Sequence, residues 1–108
     1  MHGEYITMNA LVRLDITELS AFCQKWHVCE LSLFGSALRD DFGPESDLDF
    51  LVSFEQGTKK DLFDLIEMKA ELEDRLGRSV DLVEKEALRN PWRKREILGT
   101  RQVIYAAY

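Results

Sequence analysis

The segment from residue 48 to residue 83 restricts this chain more than any other. Leu48 to Phe54 alternates as a strand does, with Leu48, Phe50 and Val52 on one face and Asp49, Leu51 and Ser53 on the other. Lys59 to Leu76 then reads as a helix, with Leu62, Leu65, Ile66, Lys69, Leu72 and Leu76 along one stripe and Gly77 at its C′ position. Ser79 to Val83 reads as a further strand. A helix of that length can return the chain to the sheet, so the segment predicts neighbouring strands joined by a crossover helix.

The flanks extend the pattern. Leu19, Phe22, Cys23 and Trp26 recur at helical spacing, with Asp15 or Thr17 as the cap. Cys29 to Phe34 reads as a strand with Leu31 and Leu33 on one face, Gly35-Ser36 breaks it, and Ala37 to Asp41 reads as a short helix. Phe42 to Ser46 is turn chemistry. After residue 83 a helical stretch is expected, broken at Pro91, and Val103 to Tyr108 ends as a helix turn or an edge strand. The expected fold is therefore α+β (α/β), a small mixed sheet flanked by helices. At 108 residues it fills one domain, 1–108, and leaves no room for a large substrate-recognition domain.

A net charge of −6 argues against a general nucleic-acid binder, which usually presents a basic face. Arg89, Arg93, Lys94, Arg95 and Arg101 nevertheless gather towards the C-terminus, either as a solvated helix face or as a surface for phosphate or an acidic protein. No apolar run approaches the roughly 20 residues that span a bilayer. Met1 to Asn9 lacks the pattern of a secretory signal, and the cytoplasm is the expected compartment. Cys23 and Cys29 lack the partners of a zinc site and read as reduced thiols. Trp92 reads as a packing anchor or an interface residue.

Asp47 and Asp49 start on the same face of a strand, about 7 Å apart at a rise of about 3.3 Å per residue. Two such carboxylates repel unless a cation lies between them, and Mg²⁺, which is held by one or two carboxylates plus substrate phosphates, suits that place. Gly35-Ser36 follows a strand and opens a helix, where bare backbone and free amides can approach a phosphate. Asp81 lies in a strand of its own. If that strand neighbours the one bearing Asp49, Asp81 faces the same cleft and completes a two-metal site or serves as general base for an incoming hydroxyl. Each part alone has a plain structural alternative: solvated acids, or an ordinary turn.

Taken together, Leu33-Phe34-Gly35-Ser36-Ala37-Leu38-Arg39, Ser46-Asp47-Leu48-Asp49-Phe50-Leu51-Val52 and Val80-Asp81-Leu82 resemble the signature of the DNA polymerase β-type nucleotidyltransferases. The ten residues between Ser36 and Asp47 match that family's GSx10DxD spacing, and residues 90–98 resemble the ending of its minimal, MntA-like antitoxin branch. The resemblance implies Asp47, Asp49 and Asp81 as catalytic carboxylates and ligands for two Mg²⁺ ions, and Gly35 and Ser36 as the contact for the triphosphate of ATP. Arg39 and Ser46 stand at motif positions too; Arg39 either holds phosphate or pairs with Asp41 or Asp47. Asp40 departs from the pattern, which often has Gly there. The resemblance further implies an antitoxin of the type VII kind that moves AMP from ATP onto a tyrosine of a HEPN ribonuclease toxin and assembles with it. A domain that masks the toxin by binding alone, and transfer to RNA or a small molecule, are the competing readings.

Overall fold

Capping side chains decide where the helices begin. The computed structural model describes residues 5–9, 12–38, 43 and 45–107. Two short strands open it, β1 (Tyr5–Asn9) and β2 (Val12–Asp15), paired as an antiparallel hairpin that the sequence reading did not anticipate. Helix α1 (Ile16–Lys25) follows at once, because the Asp15 carboxylate accepts from the amides of Thr17 at 2.9 Å and Glu18 at 3.2 Å. Strand β3 (Val28–Phe34), a 3₁₀ turn (Gly35–Leu38) and strand β4 (Leu48–Phe54) come next.

Helix α2 (Leu62–Leu76) starts three residues later than the expected Lys59. Asp61 and Asp64 explain the shift: each carboxylate accepts the other's amide, at 2.8 and 3.1 Å, which closes a capping box. Gly77 ends the helix in the left-handed region at φ +64°, as expected of a C′ glycine. Then come strand β5 (Val80–Glu84), a 3₁₀ turn (Lys85–Ala87), helix α3 (Pro91–Thr100) and strand β6 (Gln102–Ala106). Pro91 does not break a helix; it is the first residue of α3, where its missing N–H costs nothing. Of the two endings considered for the chain, the edge strand is the one formed.

The main sheet runs β5-β4-β3-β6, with β4 and β5 parallel and the other pairs antiparallel. The parallel pair is the one that α2 connects, as the length of that helix required. Leu31, Leu33, Leu48, Phe50 and Val52 form one face, each at most 1% exposed, beneath Leu19, Phe22 and Cys23 of α1 and Met68 and Leu72 of α2. Burying each large side chain contributes about 1.5–3 kcal/mol. The line of α2 that meets the sheet is Leu65, Met68, Leu72 and Leu76; Leu62 and Ile66 of the expected stripe are exposed. Both stripes fit a 3.6-residue period and share three leucines, and Met68 decides between them.

The opposite face carries only a small cluster, Phe34 and Leu51 under Ile97 of α3, with Val83, Leu88 and Leu98 at its margin. Trp92 of α3 is 77% exposed and so anchors nothing inside the described fold. Cys23 and Cys29 are free thiols, as expected, and burial pushes the Cys23 thiol up to about 12.

Candidate active site

Gly35 ends β3 with φ +67°, a conformation that side chains disfavour. Space forbids a side chain as well: a Cβ built there would lie 2.5 Å from Asp49 Oδ2. Glycine therefore lets the turn after β3 press directly on β4. Ser36 completes that contact. Its amide donates to Asp49 Oδ2 at 3.4 Å, and its hydroxyl lies 2.9 Å from the Asp47 carbonyl and 3.4 Å from Asp49 Oδ2. A hydroxyl has one proton, and the nearer carbonyl takes it. The Gly-Ser turn and the Asp47–Asp49 stretch thus form one unit.

Asp47 is exposed just ahead of β4, and Asp49 is half-buried within it. Strand pairing sets Asp49 beside Phe34 on one side and beside Asp81 of β5 on the other. Residues in register on parallel strands project from the same face, so Asp81 joins Asp49 as the strand order required. The pleat puts both on the α3 side, away from the main core. Burial raises the pKa of the Asp49 carboxyl above the ordinary value; the charges of Asp81 and Asp47 add to the rise, while the Ser36 amide and hydroxyl oppose it.

Arg78 is a supporting residue with no local signal in the sequence. Its guanidinium donates to the carbonyls of Gly43 and Ser46, both at 2.9 Å, and so ties the start of β5 to the turn before Asp47. Ser46 closes that turn: its amide donates to the Gly43 carbonyl at 3.0 Å and its hydroxyl oxygen accepts from the Gly43 amide at 3.1 Å. Arg39, Asp40 and Asp41 lie outside the described residues.

Beside Gly35 a cleft of about 470 Å³ opens against α3. Phe34, Gly35 and Leu38 form one wall, and Arg93, Glu96, Ile97 and Thr100 form the other. That volume falls in the range of small-molecule sites. Of the basic C-terminal residues, Arg93 is the one that lines it.

The donor set suits a hard divalent cation. Asp47, Asp49 and Asp81 offer carboxylate oxygens only, and the raised pKa of Asp49 reflects burial first and then the charges of Asp81 and Asp47, a repulsion that a cation would relieve. Among the described residues no three His, Cys, Asp or Glu side chains already surround a point that a metal could take.

Fold and site together define an enzyme of nucleotidyl transfer. The chain belongs to the nucleotidyltransferase domain family, whose model matches residues 18–104. It is 37% identical over 82 residues to the protein adenylyltransferase MntA of Thermococcus cleftensis, across 76% of this chain and 78% of that one. It is 36% identical over 73 residues to a Methanocaldococcus jannaschii protein that carries the name of a protein adenylyltransferase, across 68% of this chain and 73% of the relative. A solved structure described as a minimal nucleotidyltransferase matches with a TM-score of 0.66 and 31% identity, over 80% of this chain and 85% of its own. A toxin–antitoxin crystal structure with AMP-PNP shares the fold at a TM-score of 0.71 and 18% identity, over 87% and 75% of the two chains.

Proposed function

We propose that this chain is a Mg²⁺-dependent adenylyltransferase that moves AMP from ATP onto a tyrosine of a HEPN-type toxin, and that it acts as the antitoxin of that pair. The observation that carries the reading is the register of Asp81 beside Asp49, with the Gly35-Ser36 turn seated on the same carboxylate. The acceptor rests on the relatives: MntA of T. cleftensis is a protein adenylyltransferase. A further structure of the same fold holds a tri-AMPylated Shewanella oneidensis HEPN toxin with its MNT antitoxin. We read residues 1–108 as one catalytic domain working in the cytoplasm; no helix among the described residues is long and apolar enough to cross a membrane.

In this reading Gly35 lets the triphosphate approach the backbone and Ser36 turns its amide from Asp49 and its hydroxyl from the Asp47 carbonyl to the phosphate oxygens, with Arg39 and Ser46 as further contacts. Asp47 and Asp49, with Asp81, would hold Mg²⁺, which supplies charge neutralisation and Lewis acidity at the phosphate under attack. Asp81, the exposed carboxylate on the neighbouring strand, takes the proton of the attacking tyrosine hydroxyl. The tyrosine oxygen bonds to the α-phosphorus, the bond to the β-phosphate bridging oxygen breaks, and pyrophosphate leaves.

The test incubates the protein with α-labelled ATP, Mg²⁺ and the toxin encoded beside it. Label on the toxin, lost with EDTA and with the double change Asp47→Ala and Asp49→Ala, supports the reading. Toxin that stays unlabelled at every Mg²⁺ concentration, yet is still neutralised by the double variant, replaces it with inhibition by binding alone.

A further inference from the structure

Three carboxylates and a triphosphate that share one corner of a sheet set a charge problem. Among the described residues lining the adjacent cleft, Arg93 is the cation. Positions 93, 96, 97 and 100 share one face of α3. Ile97, 6% exposed, seats that face on Phe34 and Leu51, so packing sets the direction of Arg93. Gly35 also lines the cleft, and the Asp49 carboxylate lies directly against it, so a single residue separates the carboxylates from the cleft that holds Arg93.

Arg93 is also uncommitted. The ion pairs around buried Glu30 on this side of the sheet use Lys85 at 3.6 Å and Arg101 at 3.3 Å, and among the described residues Arg93 enters none. The Trp92 and Arg93 amides, at the start of α3, are taken by the Asn90 side chain. The guanidinium, rather than the helix end, is therefore the donor offered to the cleft. Glu96 lies about one turn further along the same wall, and its carboxylate repels phosphate there. The cleft has a cationic end and an anionic end.

We propose that Arg93 binds the β- and γ-phosphates of the nucleoside triphosphate and receives the charge of the departing pyrophosphate, an inference that rests on the adenylyl-transfer reading above. The α-phosphate has to sit at Asp47 and Asp49, where the acceptor attacks. The rest of the triphosphate then crosses the Gly35 turn and meets a planar cation suited to two phosphate oxygens at once. As the acceptor oxygen bonds to the α-phosphorus, the electron pair of the broken P–O bond leaves on pyrophosphate, and Arg93 neutralises it.

Isothermal titration of the parent, Arg93→Gln and Arg93→Lys, each with Mg²⁺·AMP-PNP and separately with AMP, tests this. Arg93 is exposed, so neither change disturbs the core, and matching thermal melts confirm that. The glutamine variant is expected to bind AMP-PNP about tenfold to a hundredfold more weakly, with AMP within about twofold of the parent and lysine recovering part of the loss. Unchanged AMP-PNP affinity in Arg93→Gln, or an equal loss for both ligands, overturns the role of Arg93 and leaves the adenylyltransferase reading standing. A parent that fails to bind AMP-PNP at all overturns both.

Discussion

The two faces of the main sheet use the same strands for opposite purposes. On the side of α1 and α2, Leu33, Leu48, Phe50 and Val52 are at most 1% exposed and belong to the apolar core. On the side of α3 the intervening positions are Phe34, Asp49, Leu51 and Ser53, and only Phe34 and Leu51 join a cluster there. Asp49 sits between Leu48 and Phe50, one residue away from full burial on either side. The pleat therefore separates the apolar core from the proposed chemistry within a single strand, and a register slip of one residue would exchange the two. An unrelieved group of carboxylates is tolerable here because α3 covers its face only in part, so water reaches Asp47 and Asp81.

The sharpest way to break this comparison is to change one residue on each side. Asp49→Asn keeps the shape of the site and removes a charge that the proposed metal binding needs. Transfer of AMP from ATP is expected to fall about a thousandfold or more, roughly 4 kcal/mol of barrier, in a protein that still folds. Leu33→Ala should do the reverse. Emptying that fully buried position is expected to cost about 3 kcal/mol in urea melts while leaving kcat per folded molecule within about twofold. If Leu33→Ala abolished turnover in the folded fraction, the division between the faces would be wrong.

Alternation along residues 48–54 and the helix that follows were enough to place Asp49 and Asp81 side by side, because a period of two and a crossover leave few arrangements. Local capping was legible for the same reason: Asp15 and Gly77 act within four residues. What the sequence hid depends on distance or on degeneracy. Arg78 meets carbonyls 32 and 35 residues earlier, and nothing near it announces them. The opening hairpin is two strands of five and four residues, too short for a clear period. Pro91 breaks a helix from within but starts one from its first position, and spacing alone does not say which applies. Arg93 belonged to a basic run of several equivalent cations until the packing of Ile97 selected it for the cleft.

A smaller change probes the point where the two roles meet. Gly35→Ala puts a methyl group 2.5 Å from Asp49 Oδ2 and forces alanine to φ +67°. Left-handed backbone costs alanine about 1–2 kcal/mol, and the clash adds to it, so a loss of about 2 kcal/mol in stability is expected. Because the obstacle is the carboxylate itself, KM for ATP should rise as well. Combining the change with Asp49→Gly, which removes the obstructing carboxylate, should restore part of the lost stability but none of the activity. No recovery in the double variant would place the damage in the backbone alone.

The smallest effect is the most direct measure of what the site takes from the fold. Burial first, and the charges of Asp81 and Asp47 after it, hold the Asp49 pKa above its ordinary value despite the bonds from Ser36. A folded pKa above the unfolded one means that folding favours the protonated form. That contribution is fully present below the unfolded value of about 3.9 and is lost as pH rises through the higher folded value. Asp49→Asn cannot ionise and keeps it. Thermal melts from pH 3 to pH 8 without metal should therefore show variant and parent differing by a constant amount in acid. The balance should then move towards the variant as pH rises through the raised folded pKa and level off above it. Adding Mg²⁺ at pH 7 should return part of the difference to the parent, since the cation stabilises the ionised carboxylate only when it is there. A balance that moved towards the parent instead would mean that the Ser36 bonds outweigh burial and repulsion, and that the chemical face stabilises the fold as the apolar face does.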